Sequence, residues 1–426
     1  MNFREFKQAG HWPTLLSAFL YFDVSFMVWV MLGPLSLYIT KELGMAVEEK
    51  FTIVAIPILC GAFLRIPLGM LADHFGPKFA GIFAQFIVML GMAYVFVFGL
   101  HSKLELEVLG LILGLAGASF AVALPQASRW YPPKFQGVVM GIAGAGNMGV
   151  VLDSMIVPWL AERFGWQPVF GFLLIPLFVV FVIYCILVKD APEKRAPVTW
   201  RNYANLMRDP DCWWFMFFYS ITFGGFVGLG NALPLYFSNW YHVSGIAAGL
   251  MVAIVVFAGS MFRPVGGYLA DRIGGVRSLQ ILFLVVALCY ATVAFMPEGP
   301  APDINQLAKA KVGGWDLFAM PDMAWLSTGI FFVGAMALGM GNGSVFQLVP
   351  LRFRGEIGVM TGLVGAAGGF GGFFLAKSLG VSWEMQHSFG AGFSVFAGLP
   401  ILGLFGLFMV KRRWRTTWGA LSGAKV

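Results

Sequence analysis

Two arginines stand where arginine is unfavourable. The stretch FLRIPLGMLADHFGPK, Phe63 to Lys78, sets Arg65 inside an apolar span of about Phe51 to Ala72. The stretch MFRPVGGYLADRIGGVR, Met261 to Arg277, repeats it at an offset of 198 residues. In that register Arg65 meets Arg263, Gly69 meets Gly267, Asp73 meets Asp271 and Gly76 meets Gly274. An arginine at bilayer depth costs about 2.5 kcal/mol or more, so it turns to a protein interior and to an anionic or carbonyl partner. Guanidinium is a planar fork that keeps its charge and matches pairs of oxyanion oxygens. Two such groups at equivalent places predict a paired anion site on a pseudo-symmetry axis. The plainer reading, a structural ion pair with Asp23 or Asp153, stays beside it.

Other residues fall at the same depth. Arg65 precedes Asp73 by eight residues, roughly 12 Å of helix rise, and Arg263 keeps the same spacing from Asp271. Phe120, Asn147, Tyr219, Phe223 and Gly368 fall at similar distances along their own spans. The fifth span reads GIAGAGNMGV, Gly141 to Val150, and the eleventh TGLVGAAGGFGGFF, Thr361 to Phe374. Each glycine weakens a helix in water by up to about 1 kcal/mol relative to alanine; in a membrane, glycines let helices approach closely. A single such motif is ordinary packing. Two dense runs in corresponding spans, one carrying Asn147, place Gly144, Gly146, Gly365 and Gly368 in the predicted site. An aromatic at this depth is usually packing.

These residues need a scaffold, and composition names its class. The 426 residues are 59% hydrophobic and 12% charged, against about 25% charged in a soluble protein. Twelve apolar spans are read at about 13–39, 51–72, 80–100, 105–128, 136–160, 168–188, 212–238, 245–270, 278–296, 325–348, 358–380 and 388–410. The fold class is therefore an all-α membrane protein of twelve transmembrane helices. The net charge of +7 is a topology signal and excludes a nucleic-acid partner: nineteen of the 28 Lys and Arg lie on the face holding both termini, seven on the other, and two in the membrane. The positive-inside rule then expects both termini in the cytoplasm. Four scattered cysteines and five histidines in loops or span ends predict no metal, no cofactor and no disulfide framework,. No catalytic arrangement of Ser, His and Asp falls in the spans, so an enzyme is not expected.

The repeat divides the chain into a six-helix bundle at 1–188, a polar cytoplasmic linker at 189–211 and a second six-helix bundle at 212–426. The outer loop at about 297–324, with Pro, Gly, Asp and Lys, reads as locally irregular. Two six-helix repeats joined in this way are the layout of the major facilitator superfamily, which binds substrate near the midplane between its halves. The run GMLADHFGPK, Gly69 to Lys78, resembles the superfamily's loop signature between helices two and three. It marks Gly69, Asp73 and Gly76, with Gly267 and Asp271 in the repeat, as a gating motif or, more plainly, a capped turn.

Within that superfamily the chain resembles the nitrate/nitrite porter family. The resemblance rests on Arg65 and Arg263, on the glycine runs of spans five and eleven, on YSITFGGFVG at Tyr219 to Gly228, on GLAGASF at Gly114 to Phe120 and on GMGNGSVFQLVP at Gly339 to Pro350. It implies an inner-membrane carrier, acting as a monomer, for nitrate, nitrite or both. Anion contacts would come from Arg65, Arg263, Asn147 and Tyr219, with the oxyanion between Phe120 and Phe223. Nitrate is planar and weakly hydrated and suits the guanidinium fork. Other small anions such as formate, oxalate or bicarbonate fit by charge, and a non-transporting sensor with the same fold is the reading from a different class.

Two acids, Asp23 and Asp153, lie within the spans. Burial raises a carboxyl pKa and a nearby arginine lowers it. Asp23, at midplane depth, is the candidate proton carrier or a fixed counter-charge for an arginine. Asp153 reads as a structural partner of an arginine or a helix-end group. Proton-linked uptake is expected over strict nitrate/nitrite exchange.

Overall fold

The computed structural model describes residues 3–132, 135, 139, 142–144, 146–191, 199–299, 321–353 and 356–419, and no strand occurs among them. After a short helix α1 (Phe3–Gln8), the first span comprises α2 (Trp12–Val30) and α3 (Leu32–Glu42), followed by α4 (Val47–Phe75) and α5 (Pro77–Phe98). The fourth span comprises α6 (Lys103–Gly117) and α7 (Phe120–Ser128); α8 (Gly149–Phe164) and α9 (Trp166–Leu187) complete the first six. A short helix α10 (Trp200–Leu206) precedes the second half: α11 (Pro210–Trp240), α12 (Gly245–Met261) with α13 (Arg263–Ile273), α14 (Gly275–Ala294), α15 (Asp322–Arg352), α16 (Ile357–Gln386) and α17 (Gly390–Thr416).

Eleven of these spans are long and apolar enough to cross a membrane. In the fifth place stands α8, whose 16 residues follow a stretch lying partly outside the described residues. Twelve helices in two pseudo-symmetric bundles account for the chain. The repeat is visible in the backbone: Gly76 and Gly274, equivalent at the offset of 198, hold φ of +96° and +95° at the turns that follow α4 and α13. A side chain is strained in that conformation, which glycine adopts freely. Most of the loop expected at 297–324 lies outside the described residues. Within the linker a Thr199–Asn202 capping box starts α10.

Three spans read as continuous are interrupted. Pro34 offers no N–H to the Val30 carbonyl, and the helix breaks at Met31,. Pro264 does the same beside Phe262, where α12 gives way to α13. In the fourth span the Ala121 N–H bonds Ala118 at 3.0 Å, so the Gly117 carbonyl is released for another donor.

Apolar side chains cover the outside. Phe86, Leu90, Ile175 and Phe178 on α5 and α9 are about half exposed and face where lipid would lie,. The bundles meet along α4 with α16, α8 with α12 and α3 with α11. Glycine sets the spacing: a Cβ on Gly369 would lie 2.6 Å from Ala62 Cβ, and one on Gly33 3.0 Å from the Asn231 Cα. The Gly33 contact lies in the half of the molecule remote from the termini, where Phe51 also packs on Phe389 at 5.4 Å.

Candidate functional site

The interruptions and glycines converge on Arg65. Its side chain is 1% exposed. Nε donates to the released Gly117 carbonyl at 3.2 Å, and Nη1 donates to the Gly365 carbonyl on α16. The guanidinium carbon lies 5.4 Å from the Trp29 ring centre, 5.6 Å from Phe120 and 5.2 Å from Phe223. Three ring faces therefore hold the charge that water would otherwise solvate. Nη2 is buried with no partner among the described residues, a donor left over at the centre of the protein.

Arg263 sits at the first residue of α13, half-buried, with its guanidinium carbon 5.7 Å from the Phe346 ring. Its Nη1 donates to the Gly144 carbonyl and its Nη2 to the Tyr219 hydroxyl, each at 3.4 Å. Tyr219 stacks on Phe223 at 5.1 Å with 7° between ring planes. The two arginines are thus connected through one aromatic stack: Arg65 over Phe223, Phe223 on Tyr219, Tyr219 to Arg263. Phe346 meets Tyr219 edge-on at 5.1 Å and Phe120 at 6.1 Å, closing one side.

Asn147 is buried beside this assembly; its backbone carbonyl accepts from Ser260 on α12 at 3.4 Å, and its Oδ1 has no partner. The four candidate glycines differ. A Cβ on Gly368 would lie 2.7 Å from Phe223 and 2.9 Å from Tyr219, so this glycine seats the stack. One on Gly365 would lie 3.2 Å from Arg65 Nη1. One on Gly146 would meet Phe22 at 2.7 Å and the Asp23 backbone at 3.0 Å. Gly144 has open space; it reaches the site through its carbonyl.

The acids are elsewhere. Among the described residues neither arginine forms an ion pair. Asp23 accepts from the Gly149 N–H at 2.8 Å and so caps the start of α8, satisfying a donor that a helix terminus leaves open. It is not a fixed counter-charge for either arginine. Asp153, expected to partner an arginine or a helix-end group, pairs with neither arginine: among the described residues both its oxygens are buried without a partner. The gating-motif residues lie toward the end of the molecule that holds the termini. Asp73 pairs with Arg129 there, a Cβ on Gly69 would lie 3.7 Å from the Ala121 Cβ and one on Gly267 3.8 Å from the Gly343 carbonyl oxygen, and Asp271 is exposed. In the second half the equivalent ionic contacts shift to Asp211, which accepts from Arg352 Nε at 2.8 Å and from Trp414 Nε1 at 2.7 Å.

Sequence reasoning missed Trp29, Phe346 and the Gly117 carbonyl. Trp29 carried one usable signal: it follows Phe22 and Phe26 at helical spacing and shares their face,. The arrangement sets two cations against aromatic rings, Arg65 buried and Arg263 half-buried, with a spare N–H and no carboxylate partner among the described residues. A small planar anion between them would satisfy the spare donor and relieve the repulsion.

Comparisons with known proteins bear on this geometry. The family profile "Major Facilitator Superfamily" matches residues 15–376. The nitrite extrusion protein of Bacillus subtilis (strain 168) is 30% identical over 381 residues, 88% of each chain. The Mycobacterium tuberculosis protein named "Probable nitrate/nitrite transporter NarK2" is 32% identical over 368 residues, 85% of this chain and 86% of that one. The Thermus thermophilus protein named "Probable nitrate/nitrite antiporter NarK1" is 30% identical over 407 residues, 92% and 87% of the two chains.

Proposed function

Because the chain belongs to the nitrate/nitrite porter family of the major facilitator superfamily, we propose that it carries nitrate, nitrite or both across the membrane by alternating access. It is a carrier and not an enzyme. The observation that carries the substrate reading is the pair Arg65 and Arg263, linked through the Phe223–Tyr219 stack with no acid partner among the described residues. An arginine neutralised by aspartate would leave no field for an anion. These two keep theirs, and a monovalent planar oxyanion between two planar forks satisfies both geometry and charge.

In this reading the anion lies between Phe120 and Phe223, contacted by both arginines, Asn147 and Tyr219. The bundles 1–188 and 212–426, joined by 189–211, rock about it. The bound anion draws the halves together because it favours the closed arrangement over either open one. The basic asymmetry between the two faces supports cytoplasmic termini and an inner-membrane location. We favour proton-linked nitrate uptake over strict exchange.

The test is uptake of labelled nitrate by proteoliposomes, with an imposed pH gradient or with internal nitrite. Accumulation driven by the gradient without internal anion is expected. Uptake that needs internal nitrite and ignores the gradient indicates exchange. No uptake under either condition rejects the carrier reading.

A further inference from the structure

One buried ionisable group has no place in the anion site. Asp153 is 1% exposed, and among the described residues neither carboxyl oxygen has a hydrogen-bond partner. It lies one helical turn beyond Gly149 on α8, in the half of the molecule remote from the termini. The neighbouring Ser154 hydroxyl is equally unpartnered.

Among the described residues the helices packed most closely on α8 are α2, α3, α9 and α12, and none supplies a counter-charge. On α2 the ionisable groups are Tyr21 and Asp23, the latter committed to the Gly149 N–H a turn nearer the termini. On α3 they are Tyr38, Lys41 and Glu42; Tyr38 bonds Pro158 and Glu162, and Glu42 accepts from Trp166. On α9 Tyr184 bonds Gln126 and Pro77, beside Cys185. The sequence of α12 contains none, and beyond it Arg263 turns to Gly144 and Tyr219. On α8 itself, Glu162 and Arg163 lie at the far end.

A bare carboxylate here would carry its full desolvation penalty with nothing to offset it. The neutral acid forgoes only hydrogen bonds. The location matters as much as the burial. The adjoining Ser154 backbone abuts Gly249 of α12, and Val150 Cγ1 lies 4.0 Å from the Cβ position of Gly230, both across the boundary between bundles. Separating the bundles at this end uncovers the turn that carries Asp153.

We propose that Asp153 is a protonation switch for closure of the bundle end remote from the termini. The open end exposes the carboxylate to water. One proton from that water binds a carboxylate oxygen, and the neutral group is then buried as the seam shuts; reopening returns the proton. The role in transport rests on the carrier reading above. Closure that binds one proton is favoured as pH falls and weakens by up to about tenfold per pH unit as pH rises.

Two measurements separate this proposal from that reading. Infrared difference spectra of the purified protein against Asp153→Asn, at neutral pH and without substrate, should show the C=O band of a protonated carboxyl lost in the variant. Its absence overturns the proposal whatever the protein transports. Labelled-nitrate counterflow at equal pH on both sides should fall with rising pH in the unmodified protein and stay flat in Asp153→Asn and Asp153→Leu, which are permanently neutral. A wild-type pH profile in either variant, loss of counterflow in both, or a flat profile in the unmodified protein also overturns it. A protein that moves no nitrate at all rejects the carrier reading, and the infrared band still decides the switch.

Discussion

Arg65 reaches from one bundle to the other: it stands on α4 and donates Nη1 to the carbonyl of Gly365 on α16. The same guanidinium therefore belongs to the predicted anion site and to the seam that must part for an anion to leave. A Cβ on Gly365 would lie 3.2 Å from Nη1 and 3.5 Å from Cδ. Gly365→Ala should displace the fork by a few tenths of an ångström and slow nitrate transport about tenfold or more, in line with an overpacking cost of about 1–3 kcal/mol. Transport rates normalised to protein in the membrane check this; an unchanged rate removes Gly365 from the site.

Gly144 and Gly146 should separate cleanly. Open space surrounds Gly144, whereas a Cβ on Gly146 meets Phe22 and the Asp23 backbone. Gly144→Ala should transport normally. Gly146→Ala should lose transport or thermal stability, and Gly146→Leu should block closure outright. Equal behaviour of the two alanine variants, measured by counterflow and melting temperature, would show that helix spacing here does not depend on glycine.

How much of this was legible beforehand follows from what each residue contrasts with. Arg65, Arg263 and the glycine runs stand out because charge and missing side chains are conspicuous in an apolar span. The membrane fold, its two bundles and its helix count follow from the same contrast. Trp29 and Phe346 do not stand out among 14 tryptophans and 43 phenylalanines, since an aromatic in a lipid-facing or packed position looks the same in sequence. The Gly117 carbonyl has no side chain to announce it. The partner of Asp23 is a backbone N–H, which no side chain announces, and an all-round apolar span gives no periodicity from which to read that α8 starts at Gly149,.

The aromatic cage yields its own test. Trp29 donates Nε1 to the Pro57 carbonyl at 2.7 Å and lays its ring near the Arg65 guanidinium. Trp29→Leu removes a ring face worth about 2 kcal/mol when desolvated. The Trp29→Leu protein should transport roughly tenfold more slowly or more. Trp29→Phe should recover part of the loss because it restores a ring without the N–H. A Leu variant that transports like the unmodified protein would show that Phe120 and Phe223 hold the charge alone.

Asp23 is the discriminating acid for coupling. Its carboxylate caps α8, and asparagine accepts the same hydrogen bond about as well. Asp23→Asn should therefore keep both pH-driven accumulation and anion counterflow. Loss of accumulation with counterflow intact would make Asp23 the proton carrier and set the capping role aside.

The paired guanidinium forks are tested most directly by labelled-nitrate counterflow in proteoliposomes of the unmodified protein, Arg65→Lys and Arg263→Lys. Lysine keeps the charge and loses the planar fork. A charge-assisted hydrogen bond is worth about 1.5–3 kcal/mol, so each variant should exchange nitrate about tenfold to a hundredfold more slowly, or at correspondingly weaker affinity, while remaining folded in the membrane. Normal rate and affinity in both lysine variants would contradict the site.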